Sequence, residues 1–116
     1  GKAAAISVGW DHSLALMQDG TVYGWGFNQF GQATGTESRS IDEPMRGLVT
    51  LRGSILSNIT AVAAGNGFSL ALKQDGTVIA WGCNRRGQTE VPAELSHVIA
   101  IAAGNDFCLA VTTNAP

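Results

Sequence analysis

The sequence predicts an all-β chain built by repeating one unit. Three observations lead there. First, Gly9–Gln32 and Gly65–Gln88 are identical at 15 of 24 positions, too many for chance. Second, runs such as Ser69-Leu70-Ala71-Leu72 alternate small and large side chains, the period-two pattern of a strand with two different faces. Third, the chain carries 15 glycines but only three prolines and no G-X-Y period, which places them in turns between many short elements.

The first strand of each unit is a β-branched and small-residue run, Ile59-Thr60-Ala61-Val62-Ala63-Ala64 in the second copy. Its alanines suit a close-packed inner position, and it ends at Gly65, where the chain must turn. The second strand follows as Gly9-Trp10-Asp11-His12-Ser13-Leu14-Ala15-Leu16, Gly65-Asn66-Gly67-Phe68-Ser69-Leu70-Ala71-Leu72 and Gly104-Asn105-Asp106-Phe107-Cys108-Leu109-Ala110-Val111. Asp19-Gly20 and Asp75-Gly76 then suit a tight two-residue hairpin with positive φ at both positions. Return strands end at Trp25-Gly26 and Trp81-Gly82, and shared Asn28, Gly31-Gln32 and Asn84, Gly87-Gln88 follow. No amphipathic helix longer than two turns is expected. Met45–Ile55 reads as loop plus a short strand.

The first two copies are offset by 56 residues and the next two by 39. The difference sits between Gln32 and Leu56, where 23 residues lie, against six between Gln88 and Leu95. The units are therefore 4–55, with an inserted loop at 33–55, then 56–94, and a partial third at 95–116. The third copy has the first two strands but no D-G-T-V and no Trp-Gly. A unit of three or four strands repeated every ~40–50 residues is the pattern of a β-propeller blade. One blade cannot bury both faces, and closure takes about four to eight blades. Two full repeats and part of a third leave the ring incomplete, unless the chain belongs to a longer propeller or several copies assemble head to tail.

Length and charge bound the function. At 116 residues only one small core fits. Seven Lys+Arg against nine Asp+Glu give −2, so no strongly basic surface is offered to nucleic acid. The longest apolar run, Val98 to Ala103, is far too short to span a membrane, and Gly1–Ala5 lacks a leader-like apolar stretch. Cys83 and Cys108 are too few for a disulfide scaffold and lack metal-ligand spacing, so two thiols and no metal site are expected. No phosphate-loop pattern is present, and no cofactor is expected.

The remaining candidates weigh toward binding. His12-Ser13 is not a catalytic pair, because neighbouring strand residues point to opposite faces. His12 matches Phe68 and Phe107, which makes it a packing position. His97 precedes a strand without a ligand partner. Asp19 and Asp75 have turn duties, and Asp42, Glu43, Glu90 and Glu94 fall in connections rather than as a pair on one face. Trp25 and Trp81 share a strand-end position and are expected to wedge between blades, with Gly20 and Gly76 serving the turns. Trp10 differs, because its equivalents are Asn66 and Asn105, and an unshared aromatic at a loop tip suits an interface. Gln29-Phe30 against Arg85-Arg86 is a second unshared pair between shared residues. Asn58-Ile59-Thr60 matches a glycosylation sequon, a triplet common by chance.

The pattern Ala-Ala-Gly-x-x-(His/Phe)-Ser-Leu-Ala-Leu, Asp-Gly-Thr-Val, Trp-Gly-x-Asn-x-x-Gly-Gln resembles the regulator of chromosome condensation repeat. The resemblance implies a propeller, usually seven-bladed. The first unit looks like the longer eukaryotic-style repeat. The second, Val78 through Ala93, is similar to the short repeat of the propeller-type β-lactamase inhibitors, whose equivalent loops present aromatic and charged side chains to an enzyme. Carried over by position, the implied protein-binding residues are Trp10, Asp11, Phe30, Phe68, Arg85, Arg86 and Asp106. Gly9-Trp10-Asp11-His12-Ser13 also resembles a motif of the ultraviolet-sensing plant branch, but Asp11 replaces its arginine and no second copy carries the tryptophan. The expectation is a non-enzymatic module that binds a protein partner through inter-strand loops. The alternatives are a guanine-nucleotide exchange factor for a small GTPase, for which 33–55 is the one segment that could serve as the wedge, and a self-assembling homo-oligomeric ring.

Overall fold

The computed structural model describes residues 2–37, 45–85, 87–92 and 95–113. Among them lie eleven strands and no helix. The first unit is an antiparallel sheet of β1 (Ala3–Val8), β2 (His12–Met17), β3 (Val22–Gly26) and β4 (Arg46–Leu48), paired in chain order. A separate hairpin follows, β5 (Thr50–Leu51) and β6 (Ser54–Ile55). The second unit is a three-stranded sheet of β7 (Ile59–Ala64), β8 (Phe68–Lys73) and β9 (Val78–Gly82). The third is the pair β10 (Val98–Ala103) and β11 (Cys108–Thr112).

The repeat extends to register. Ser13 faces Trp25 across the first sheet as Ser69 faces Trp81 across the second. All three inner pairs carry a register shift at the same place, between Ala3 and Ala5, Ile59 and Ala61, and Val98 and Ala100. Such bulges sharpen the local twist.

The inserted segment 33–55, expected to hold a loop and a short strand within Met45–Ile55, supplies β4, which covers the outer edge of β3, and beyond that one strand the β5–β6 hairpin. The Asp-Gly turns also differ in kind. Positive φ falls on Gly20 and Gly76 alone, while Gly20 N donates to Met17 O at 3.0 Å and Met17 N to Thr21 O at 2.9 Å. That is a three-residue loop ending in a left-handed glycine, rather than a two-residue turn with both positions left-handed. Thr21 donates both its amide and its hydroxyl to Asp19 Oδ1, and Thr77 does the same to Asp75. The two-residue turn with both φ positive occurs instead at Arg52-Gly53, with φ 53° and 81°.

The sheets stack flank to flank. Leu14, Leu16 and Val22 of the first unit pack with Ala64, Ala71 and Trp81 of the second. Leu70, Phe68 and Ala63 of the second pack with Ile101, Ala103 and Cys108 of the third. Close approach at the inner end is possible because Gly9 has no side chain: a Cβ there would lie 2.4 Å from Gly65 O. One bonding scheme serves both junctions, with Ile59 N donating to Gly20 O at 3.0 Å and Val98 N to Gly76 O at 3.0 Å.

The outer flanks are bare. Phe107 and Leu109 are 52% and 60% exposed, while their repeat equivalents Phe68 and Leu70 are at 0% and 1%. On the other side Val8 is exposed while its equivalent Ala64 is buried, and Trp25 is half-exposed while Trp81 is buried. The positions are chemically alike, so the presence or absence of a neighbouring blade sets the difference.

This yields a paired test. Leu70→Ala leaves a cavity and lowers stability by about 2–5 kcal/mol. Leu109→Ala, at the same repeat position on a bare flank, costs less than about 1 kcal/mol in the monomer, at protein concentrations too low for copies to associate. Denaturant titration of both variants measures the contrast.

Candidate functional site: the inter-blade loop face

The junction between the first two units contains a directed chain of hydrogen bonds. His12 Nε2 lies 2.8 Å from Ser69 Oγ, and Ser69 Oγ donates to Gln32 O at 2.7 Å. Trp81 Nε1 donates to the same carbonyl at 3.1 Å. A carbonyl can only accept, so the Ser69 proton goes to Gln32 and His12 Nε2 carries the proton it gives to Ser69. His12 Nδ1 is then the unprotonated nitrogen, 3.5 Å from Asp11 Oδ1 and without a hydrogen-bond partner.

Asp11, His12 and Ser69 have the residue types of a hydrolytic triad, but the geometry does not serve hydrolysis. Ser69 is fully buried, and its hydroxyl proton is committed to Gln32. No substrate carbonyl can reach it. The constellation locks one blade to the next. At the second junction Cys108 stands where Ser69 does and donates its thiol to Gln88 O at 3.3 Å, with Phe68 in place of the histidine. Partial burial pushes the Cys108 thiol pKa up, so it is held as a neutral donor.

Directly above this junction the loops of all three units border one cleft of about 320 Å³. Of the residues singled out from sequence, Asp11, Phe30, Arg85 and Asp106 line it together. The Arg85 guanidinium sits 5.1 Å from the centre of the Phe30 ring, a cation–π stack joining the loops of two units. Trp10 stands outside the lining at 72% exposure. Arg86 lies outside the described residues, as do Asp42, Glu43 and Glu94. Phe68 is corrected: expected on the binding face, it is fully buried beneath it, its ring filling the space beside Gly65.

Sequence reasoning missed Asn66, Asn105 and Cys83 in this cleft. Asn66 Nδ2 donates to Asn105 Oδ1 at 2.7 Å, and both occupy the repeat position of Trp10. That equivalence was the available signal. An amide pair spans the second and third units, and the first unit breaks the row with an indole. Trp81, expected as a wedge, is buried between the first two units, whereas Trp25 lies half-exposed beside Tyr23, ring centroids 6.3 Å apart.

Two family models for the regulator of chromosome condensation (RCC1) repeat match the chain, one at residues 3–32 and 59–88, the other at 19–72. The chain belongs to the RCC1-repeat family. It is 36% identical over 83 residues to the ultraviolet-B receptor UVR8 of Arabidopsis thaliana, covering 72% of this chain and 18% of the receptor. It is 42% identical over 88 residues to the probable E3 ubiquitin-protein ligase HERC6 of Homo sapiens, covering 75% of this chain and 8% of the ligase. The chain thus spans less than a fifth of either relative. Yeast RCC1 (Prp20), solved with Kap60, superposes with a TM-score of 0.73 at 24% identity, over 95% of this chain and 30% of that one. Human WBSCR16 gives 0.77 at 24% identity, over 97% and 32%. The RCC1-repeat chain therefore has the fold of β-propeller blades and covers only part of such a ring.

The His12 junction makes a pH prediction. Burial lowers the His12 pKa from 6.5, and Asp11 opposes the shift only in part. The folded chain therefore binds fewer protons than the unfolded chain once the pH falls below about 6.5. Stability is full above that value, declines as the pH drops toward the depressed folded pKa, and levels off below it. Melting curves taken from about pH 7.5 to about pH 5 show this decline in the parent and a flatter profile in His12→Phe, which installs the residue of the second unit.

Proposed function

We propose that this RCC1-repeat chain is a non-catalytic protein-binding module whose partner contacts the inter-strand loop face. The observation that carries the reading is how residues sort between scaffold and cleft. Repeat-shared residues are spent inward: Asn28 Oδ1 accepts from the amides of Ala33 and Thr34, and Gln32 Oε1 accepts from Phe30 N. Residues that differ between the first two units occupy the surface, with Phe30 and Arg85 stacked, Asp11 as a carboxylate and Trp10 as an exposed indole, and Asp106, the third-unit counterpart of Asp11, adds a second carboxylate. Aromatic and arginine side chains on a rigid base have the composition of binding hot spots. Arg86 is the further residue proposed for this face.

Structural relatives support a protein as partner. Prp20 has been solved with Kap60, and its binding to Gsp1p and to histones has been described. Kap60, Gsp1p and histones therefore form the test panel. Trp10→Ala combined with Arg85→Ala is expected to weaken the productive interaction about tenfold or more with the melting temperature unchanged. Calorimetric titration reads the first and thermal denaturation the second. A parallel loss of stability reassigns both residues to packing. Faster release of labelled GDP from a small GTPase, across a panel of such proteins, would instead favour the exchange-factor reading.

A second reading rests on the bare flanks. Ile6, Val8 and Trp25 on one side, and Phe107, Leu109 and Val111 on the other, are the two halves of an interface that the chain already makes internally. Each flank is proposed to take a further blade, from adjoining sequence or from another copy. Sedimentation of the 116-residue chain alone is expected to show a defined oligomer, and Val8→Asp with Leu109→Asp is expected to dissolve it. A monodisperse monomer in the parent assigns the flanks to adjoining repeats instead.

A further inference from the structure

A larger cleft, of about 630 Å³, opens on the outer side of the second unit, away from the loop face. The β5–β6 hairpin lines one wall with Leu51, Arg52 and Ile55, and Lys73, Ile79 and Ala80 line the other. Ile79 and Ala80 are neighbours on one strand, so their side chains leave opposite faces of the sheet. A cleft bordered by both must run along the edge of β9.

That edge is open. In the first unit β4 closes the matching edge of β3: Val49 N donates to Val22 O at 2.7 Å and Gly26 N to Met45 O at 3.1 Å, with Gly24 opposite Gly47 between them. The equivalents in β9 are Val78 O and Gly82 N. Among the described residues no strand pairs with this side of β9, and neither group has a matching backbone bond. An unpaired edge is a template for another strand.

The charge around the edge selects what it takes. Among the described residues the lining holds two cations, Arg52 and Lys73, and no carboxylate, on a chain whose net charge is −2. Arg52 is also held in a left-handed conformation, φ 53°, at a turn position where glycine costs nothing. The hairpin has no counterpart in the second unit and is not needed to repeat the blade. It keeps a cation at its tip despite the strain.

We propose that the outer edge of β9 receives an extended acidic peptide segment of a partner protein as the missing fourth strand. Main-chain bonds run to Val78 O and Gly82 N, alternate apolar side chains lie against Leu51, Ile55 and Ile79, and the intervening carboxylates meet Arg52 and Lys73. Peptide addition of this kind draws affinity from the ladder and selectivity from alternate side chains.

The test uses the full chain and two labelled peptides of about six residues, one alternating valine with glutamate, the other valine with lysine. Fluorescence anisotropy is expected to show the glutamate peptide binding about tenfold or more tighter than the lysine peptide. Hydrogen exchange is expected to slow at the Gly82 amide when the glutamate peptide binds. Arg52→Gly and Lys73→Glu are each expected to weaken it about two- to fivefold. Arg52→Gly relieves the left-handed arginine, so its melting temperature is expected to hold or rise; binding and stability then move in opposite directions, which a purely structural arginine would not produce. Equal affinity for the two peptides, no binding by about 1 mM, a Gly82 amide already protected in the free chain, or protection confined to Asp11, Phe30 and Arg85 overturns the proposal. The last result leaves the loop-face reading standing, so the two fail separately.

Discussion

The Gln32 carbonyl takes two hydrogen bonds from the next unit, one from the Ser69 hydroxyl and one from the Trp81 indole. This carbonyl belongs to a fully buried residue, and leaving it unpaired would cost about 1–3 kcal/mol. Satisfying it fixes the second unit against the first at one height and one rotation. The Gln88 carbonyl repeats the arrangement with the Cys108 thiol. Everything on the upper face inherits that registration. Phe30 and Arg85, from different units, meet only because the sheets beneath them are locked in step.

Each blade also has two apolar flanks, and each neighbour covers one. Within the chain this is solved twice, through the Leu14–Trp81 and Leu70–Ile101 clusters. The β1 side and the β11 side remain as unsatisfied copies of the same surfaces. Three kinds of surface therefore coexist: flanks shaped for more blades, a polar loop cleft over the junction, and an open strand edge beside the β5–β6 hairpin. The flanks are aliphatic and aromatic, the cleft mixes carboxylates with a stacked guanidinium, and the edge offers main-chain groups between two cations.

Legibility followed the range of the interaction. Strands β1–β3 and β7–β11 were readable because alternation and glycine spacing act between near neighbours along the chain. Strand β4 was legible only as one short strand somewhere within Met45–Ile55: its pairing with β3 depends on an edge outside that segment, as the separate β5–β6 hairpin depends on a turn with no dipeptide signal. The turns show the limit of a dipeptide rule. Asp-Gly was assigned a two-residue turn, but the Asp19 and Asp75 side chains bond to threonines two residues on and leave only the glycine left-handed. Arg52-Gly53 makes the two-residue turn with no dipeptide signal at all. Phe68 was misplaced because repeat alignment shows which residues vary and is silent on which way they face. The His12–Ser69 bond was missed because the pairing considered was with the adjacent Ser13, whereas the real partner sits one blade on.

From the amino acids alone came the repeat, its β character, the need for neighbouring blades, and the two loop positions whose residues vary. These are consequences of local periodicity and internal comparison, which a linear string contains. Only the tertiary structure decided which varying residues share a cleft, that His12 is a buried donor facing Ser69, that the insertion closes one sheet edge, and that no described strand covers the corresponding edge of β9. Those facts depend on how the sheets lie beside one another, and that is set by buried carbonyls and apolar flanks meeting across dozens of residues.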